Sequence, residues 1–171
     1  THPSGMHYSD SLSNHVSAYF RLKGLSVCVR PVGRLDKETS GIVLFAKNQV
    51  AAQRLQEQRA KGLLEKQYLA ITEGKLSIDQ NSDWHTIDCP IRKTGNHPLR
   101  MEAIKNINMS AMGQSVCENS MDNVGYLHAV THYRVLDSTD EWSVVNLKLD
   151  TGRTHQIRVH MLSIGHPLLG D

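Results

Sequence analysis

Apolar residues recur along the chain with the two periods that strands and helices require. Alternating or continuous apolar runs of strand length predict strands at residues 27–29, 42–46, 67–72, 85–91, 128–136 and 142–149. Apolar residues at helical spacing, each run followed closely by a glycine, predict helices near residues 12–23, 49–60 and 154–164. Strands therefore outnumber helices, and the two kinds of element do not alternate regularly.

This order of elements favours an α+β fold over a doubly wound parallel sheet. We predict a mixed, mainly antiparallel sheet with flanking helices, in one domain spanning residues 1–171. Residues 93–126 are the least periodic part of the chain, and residues 106–124 within them mix Asn, Ser, Met and Gly. We interpret residues 106–124 as a mobile insertion.

Composition narrows the classes of protein to which the chain can belong. Its 171 residues, 39% hydrophobic and 21% charged, are typical of a globular domain that buries its own core. Three widely separated cysteines argue against a disulfide framework or a zinc cluster and fit a reducing cytoplasm. No apolar run approaches the roughly 18 residues of a membrane span. A net charge of +2 permits nucleic-acid binding without demanding it.

A short polar turn, residues 33–41, precedes the apolar run 42–46. In extended backbone, alternate side chains share a face, so Arg34 and Asp36 are expected to open to one side while Leu35 anchors the turn. Asp36 could bond only to turn backbone, as turn aspartates commonly do. Alternatively, a carboxylate held at the mouth of a buried strand could carry out chemistry.

The last predicted helix carries a charged residue beside its apolar stripe. Thr154 is a plausible N-cap for this helix. Residues at i, i+4 and i+7 that should face the core are Ile157, Met161 and Ile164. Arg158 stands at the border of this stripe, where desolvation without an anionic partner is costly. Asp36 is the kind of partner that Arg158 requires.

Two common kinds of site are not supported by the spacing of residues. His155 and His160 are five residues apart, so on a helix they point about 140° apart, and no other metal-ligand motif is present. We therefore predict no metal. Ser40 lacks the GxSxG surroundings of a nucleophilic serine and precedes a strand instead of a helix.

Four segments together resemble the signatures of the RluA-type pseudouridine synthases. The matching residues are Pro3-Ser4-Gly5-Met6; Arg34-Leu35-Asp36 with Thr39-Ser40-Gly41 and Ala46-Lys47; Lys66-Gln67-Tyr68-Leu69-Ala70 with Gly74; and the run from Thr151 to His160 with Gly165-His166-Pro167 and Gly170-Asp171. They occur in the family's order and roughly at its spacing. The resemblance implies a pseudouridine synthase fold with a central RNA-binding cleft and an enzyme that isomerises uridine to pseudouridine in RNA. It implies no cofactor.

The resemblance also implies roles for individual residues. Asp36 takes the position of the catalytic aspartate, and Arg158 that of the arginine that pairs with it. Tyr68 takes the position of the tyrosine that packs on the uracil and moves the C5 proton, and Arg34 that of the arginine that fills the gap left by a flipped nucleotide. Candidate RNA-binding residues are Arg34, Lys37, Thr39, Arg153, His155 and Gln156. His155 and Gln156 could instead cap the helix.

The chain departs from the family pattern in three places. Gly33 replaces the histidine that usually precedes Arg-Leu-Asp, and His2 replaces the lysine of the first signature. The chain begins inside that signature and stops at Asp171, so we expect a catalytic domain that is partial at both ends. An alternative is an RNA-binding module on the same scaffold with little or no catalysis. We expect a cytoplasmic monomer that acts on ribosomal or transfer RNA.

Overall fold

The computed structural model describes residues 11–79, 83–94, 101–104 and 125–171. The chain divides into two compact units, Thr1–Glu65 and Lys66–Asp171. The helices are α1 (Leu12–Leu22), α2 (Gln49–Ala60) and α3 (Gln156–Ser163). The strands are β1 (Arg30–Val32), β2 (Leu44–Ala46), β3 (Gln67–Glu73), β4 (His85–Asp88), β5 (Ile91–Lys93), β6 (Met101–Ala103), β7 (Tyr126–Leu127), β8 (Val130–Ser138) and β9 (Trp142–Leu149).

The first unit contains α1, α2 and an antiparallel pair of short strands. Strands β1 and β2 pair with Pro31 opposite Phe45, and α2 packs against both. Ser11 caps α1 and Asn48 caps α2, since each side-chain oxygen accepts a backbone N–H of the first turn. The residues between the two strands form the 33–43 loop, which carries the Arg-Leu-Asp signature.

The second unit is built on a four-stranded antiparallel sheet in the order β3-β9-β8-β4. A smaller sheet has the order β6-β5-β7, and α3 packs against β6 and β8. Met161 of α3 joins Ile87, Val145 and Leu147 in one fully or nearly buried cluster. Val159 of the same helix joins a second buried cluster, on the smaller sheet. Helix α3 is therefore fixed by two apolar clusters at once.

The predicted fold class is confirmed, because helices and antiparallel strands are combined and every strand pair in the described residues is antiparallel. The predicted bounds of α2 and β9 agree with the structure. The segment Pro3-Ser4-Gly5-Met6 and the predicted insertion at residues 106–124 lie outside the described residues. Within the described residues, no helix combines the length and apolarity that crossing a membrane requires.

Two predictions about the first unit are wrong. The predicted strand 27–29 is shifted, since pairing begins at Arg30 and includes Pro31. The run 42–46 is not a buried strand, because pairing begins at Leu44 and the Ile42 side chain is 88% exposed. The apolar run led to an expectation of neighbours on both faces. In the described residues β2 instead pairs with β1 alone, and of the five residues in the run only Ala46 is buried.

Two element boundaries in the second unit also differ from prediction. The predicted strand 85–91 is divided into β4 and β5, with Pro90 between them, because proline has no N–H for a ladder. Helix α3 begins at Gln156, and its N-cap is His155 in the left-handed conformation, with φ 54°. Thr154 is therefore not the N-cap. Ile164 follows the helix and is exposed, so it does not face the core as predicted.

Candidate active site

Asp36 lies in the 33–43 loop, where the backbone makes a tight turn. The Thr39 N–H donates to the Asp36 carbonyl oxygen over 3.1 Å, which closes a four-residue turn. The side chain of Asp36 remains 27% exposed. Lys37 and Thr39 are both exposed on the turn. The carboxylate is thus half-buried on a turn that a backbone hydrogen bond closes.

Arg34 is the ionic partner of Asp36 within the loop. Its Nη2 donates to Asp36 Oδ1 over 3.4 Å, so the two side chains lie on one side of the loop, as the alternation of extended backbone predicts. The Arg34 side chain is 62% exposed. A long contact to so exposed a cation is weak. Arg34 therefore keeps its freedom to leave Asp36 and contact another anion.

Gly33 opens the loop with a left-handed backbone conformation. Its φ is 88°, a region that residues with a Cβ rarely adopt. The histidine that stands here in the family signature would meet this restriction. The shape of the loop in this chain therefore depends on the glycine.

Gly33→Ala is expected to lower the free energy of unfolding by about 1–2 kcal/mol, because a Cβ is strained at this φ. Denaturant unfolding of the two proteins measures the difference. The matched control is Gly125→Ala, since Gly125 has no positive φ and a Cβ there would meet open space. Equal unfolding free energies for wild type and Gly33→Ala would show that the loop adapts without strain.

Tyr68 belongs to the second unit, on β3. It pairs across the sheet with Leu147 and packs against the buried cluster of Val145, Leu147 and Met161. The residue is half-buried. Its ring is therefore held by the core, which fixes the direction of the side chain.

Arg158 lies on the first turns of α3 and has an anionic partner in the second unit. Its Nε donates to Asp171 Oδ2 over 2.8 Å, and its Nη2 contacts Asp171 Oδ1. The sequence predicted that Arg158 needs an anion, and Asp171 meets that need here. Asp36 belongs to the other unit, and its pairing with Arg158 stays a prediction.

A directed chain of buried hydrogen bonds ties α3 to β8. The Gln156 amide donates to Thr131 Oγ1 over 3.0 Å, and Thr131 Oγ1 lies 2.8 Å from His160 Nδ1. His160 Nε2 lies 2.9 Å from the Cys89 carbonyl, which can only accept. Nε2 therefore carries the proton, and Nδ1 accepts from the Thr131 hydroxyl.

Gln156 also organises the turn before the helix. Its amide nitrogen donates to the Val130 carbonyl over 2.9 Å, and its Oε1 accepts from Thr151 Oγ1 (2.8 Å) and from the Arg153 N–H (3.0 Å). Only 2% of the residue is exposed. The observed role of Gln156 is to position this turn, and its contact with RNA stays a prediction.

The other two candidates on this turn are less enclosed. Arg153 is exposed, and its Nε donates to the His128 carbonyl over 3.1 Å. His155 is half-buried and makes no side-chain capping bond. Both could still present polar atoms to a ligand, and their contacts with RNA stay predictions.

Thr131, His160 and Asp171 have roles in the structure that were not predicted from the sequence. One signal was present, since Gln156 and His160 are four residues apart and share one helical face. Thr131 and Asp171 are brought to their partners on α3 only by the tertiary structure. No group of three side chains that could hold a metal ion occurs in the part of the chain that the structure describes.

The buried position of His160 makes folding sensitive to pH. Burial lowers the pKa of His160 below its ordinary 6.5, against smaller opposing effects of the Cys89 carbonyl and Asp88. A proton on Nδ1 would also face the hydroxyl hydrogen of Thr131. The unfolded chain therefore takes up a proton at a pH where the folded chain does not.

We expect stability to hold above about pH 6.5 and to fall as the pH drops from there towards the lowered pKa of the folded state. The measurement is the free energy of unfolding between pH 8 and pH 5 for wild type and His160→Gln. The difference between the two proteins isolates His160 from the other histidines. Parallel curves would contradict the expected role of His160.

Comparisons with known proteins identify the family to which the chain belongs. The family model described as RNA pseudouridylate synthase matches residues 1–163. A Bacillus subtilis protein named uncharacterized RNA pseudouridine synthase YhcT is 39% identical over 173 aligned residues, which cover 100% of this chain and 50% of that protein. A Zymomonas mobilis protein named ribosomal large subunit pseudouridine synthase D is 33% identical, covering 99% and 48%.

A solved human structure, RNA pseudouridylate synthase domain containing 4, has a TM-score of 0.71 at 26% identity. That alignment covers 100% of this chain and 62% of the human chain. The chain spans about half the length of the curated relatives it matches. The family match covers nearly all of it, including the Arg-Leu-Asp loop, β3 and the whole of α3. The chain therefore belongs to the RNA pseudouridylate synthase family, among its RluA-type members.

Proposed function

We propose that this protein isomerises uridines to pseudouridine in structured RNA, with Asp36 as the catalytic carboxylate. The observation that carries the proposal is the family match over residues 1–163, which includes Asp36, Tyr68 and Arg158. The chemistry of these three side chains supports it, since they offer an anion, a phenol and a cation. The proposed reaction uses this chain's own side chains and no cofactor.

The reaction exchanges one glycosidic bond for another. The bond between N1 of uracil and C1′ of the ribose breaks, the base turns, and C5 forms a bond to C1′. C5 then loses its hydrogen as a proton, and N1 carries a proton in the product. One proton leaves C5 and N1 gains one, so the reaction is an isomerisation and the product has the mass of the substrate.

Asp36 acts at the sugar in this proposal, either as a nucleophile at C1′ or as a base that removes a ribose proton. Both roles need an ionised carboxylate. Its half-buried position on a turn closed by the Thr39 N–H, beside the guanidinium of Arg34, supports such a role. Because C1′ and the face of the base are hidden in a stacked helix, the uridine must be flipped out.

The remaining residues act on the flipped nucleotide. Tyr68 packs on the uracil and moves the C5 proton, a role supported by the way the core holds its ring. Arg158 is the ionic partner of the Asp36 carboxylate during the reaction. Arg34 fills the gap in the RNA, which its exposure and weak hold on Asp36 support.

RNA is the proposed partner. The candidate contacts outside the reacting groups are Lys37, Thr39, Arg153, His155 and Gln156. The names of curated relatives make large-subunit ribosomal RNA the first substrate to test. Transfer RNA, which the resemblance to the RluA-type synthases also implies, is the second. We propose that the protein acts as a monomer in the cytoplasm.

The test of this function uses loss of hydrogen from C5. The wild-type chain is incubated with ribosomal and transfer RNA transcripts that carry tritium at C5 of every uridine. We expect release of tritium into water from at least one RNA, up to a fixed number of sites per molecule. Digestion of that RNA to nucleosides should show pseudouridine in equal amount.

Absence of tritium release from both classes of RNA would overturn the proposal. If the same RNAs bind the chain without tritium release, the protein is an RNA-binding module on this scaffold. One set of reactions and one binding titration therefore distinguish a catalytic synthase from an RNA-binding module.

A further inference from the structure

The segment after α3, residues 166–171, is bound to the edge of the four-stranded sheet. The Glu73 N–H donates to the Pro167 carbonyl over 2.8 Å, and the Leu169 N–H donates to the Ile71 carbonyl over 2.9 Å. His166 Nδ1 lies 2.9 Å from the Glu73 carbonyl and must donate to it. The 166–171 segment thus adds a short antiparallel bridge beside β3, the strand that carries Tyr68.

The segment ends in a tight turn that aims Asp171 at helix α3. The Asp171 N–H donates to the Leu168 carbonyl over 3.2 Å, and Gly170 supplies a φ of 82°. The turn therefore fixes the backbone of Asp171 with respect to β3. The Asp171 side chain is 24% exposed, and the turn already holds its backbone.

The Asp171 carboxylate binds one edge of the Arg158 guanidinium. Nε and Nη2 of Arg158 contact the two carboxylate oxygens separately, which is the side-on bidentate geometry. A guanidinium is planar and carries further N–H donors beyond this edge. A second carboxylate can therefore bind the same arginine end-on while Asp171 holds the side.

We propose that Asp171 is a positioning residue, which holds Arg158 in the orientation that the reaction uses. The inference rests on the proposed function, in which Arg158 is the partner of the catalytic carboxylate. An arginine side chain has many rotamers, and a fixed planar fork loses less freedom when it binds an anion. The 166–171 segment thereby couples the strand that carries Tyr68 to the helix that carries Arg158.

The test compares Asp171→Asn and Asp171→Glu with wild type on C5-tritiated RNA. Asp171→Asn removes the charge and one strong bond, so we expect kcat to fall about tenfold to a hundredfold, with KM changed less than about twofold. Asp171→Glu keeps the charge but moves the carboxylate, and its kcat should lie between those of the other two. A purely structural pair would leave kcat of the folded enzyme unchanged.

The matched control is Asp140→Asn. Asp140 makes an ion pair of 2.8 Å with Lys75 in the same unit, and both side chains are largely exposed. This variant should keep wild-type kcat and KM. In an Arg158→Gln background, Asp171→Asn should cause no further loss of kcat, because both substitutions disrupt the same Arg158–Asp171 ion pair.

Wild-type kcat in folded Asp171→Asn, or an equal additional loss in the Arg158→Gln background, would overturn the inference. If Asp171→Asn does not fold, Asp171→Glu decides: reduced kcat supports the positioning role, and wild-type kcat contradicts it. These failures differ from failure of the proposed function, in which the wild-type chain itself releases no tritium.

Discussion

Asp36→Asn is expected to reduce pseudouridine formation by about 10³-fold or more, because an amide can neither attack C1′ nor accept a ribose proton at neutral pH. The substitution is nearly isosteric, and the turn around it is closed by the backbone of Asp36 and Thr39, which the change leaves intact. Tritium release from C5-labelled RNA under single-turnover conditions measures the effect.

The matched control is Glu38→Gln, which removes another carboxylate from the same turn at an exposed position. We expect it to retain wild-type activity within about twofold, since an exposed charge contributes little. RNA affinity of Asp36→Asn should stay near wild type. Full activity of Asp36→Asn would exclude Asp36 as the catalytic carboxylate, whereas equal losses in both variants would indicate a general effect of charge on the loop.

Gln156→Ala is expected to lower the free energy of unfolding by about 3 kcal/mol, the largest expected effect on stability. The substitution removes four hydrogen bonds within and beside the turn at residues 151–155. It leaves buried backbone and hydroxyl groups without these partners, and each such group costs about 1–3 kcal/mol. Denaturant unfolding monitored by circular dichroism measures the change.

Two further variants test whether the lost hydrogen bonds cause the loss of stability. Gln53→Ala removes an exposed glutamine of α2 that bonds only across one helical turn to Glu57, and should change stability by less than about 0.5 kcal/mol. Gln156→Leu keeps most of the volume but no hydrogen bonds, and should cost nearly as much as the alanine. If Gln156→Leu is as stable as wild type, the hydrogen bonds are not what holds the turn.

The same variants test the alternative that Gln156 contacts RNA. A positioning role predicts that RNA affinity, measured where each variant is fully folded, stays close to that of wild type. A direct contact predicts weaker binding with little loss of stability. The burial of Gln156 favours the first outcome.

The sequence by itself determined the elements whose signals are local. Apolar residues at helical spacing and a glycine after the last turn delimit α2, and alternating apolar residues delimit β9, so both elements were predicted at their observed positions. The signatures around Asp36, Tyr68 and the start of α3 are likewise readable along the chain. Their order and spacing produced the resemblance to the family, and the family match over residues 1–163 confirmed it.

Only the tertiary structure decided which of those residues have partners and which are buried. The Ile42 side chain is exposed because β2 pairs with β1 alone in the described residues. His155 is left-handed at the end of a turn that the Gln156 side chain binds through the Arg153 N–H. Arg158 was recognised as needing an anion, but its contact with Asp171 requires the last residues to return along β3. Such pairings join residues distant in sequence, and a local pattern carries no information about which distant group will meet a given side chain.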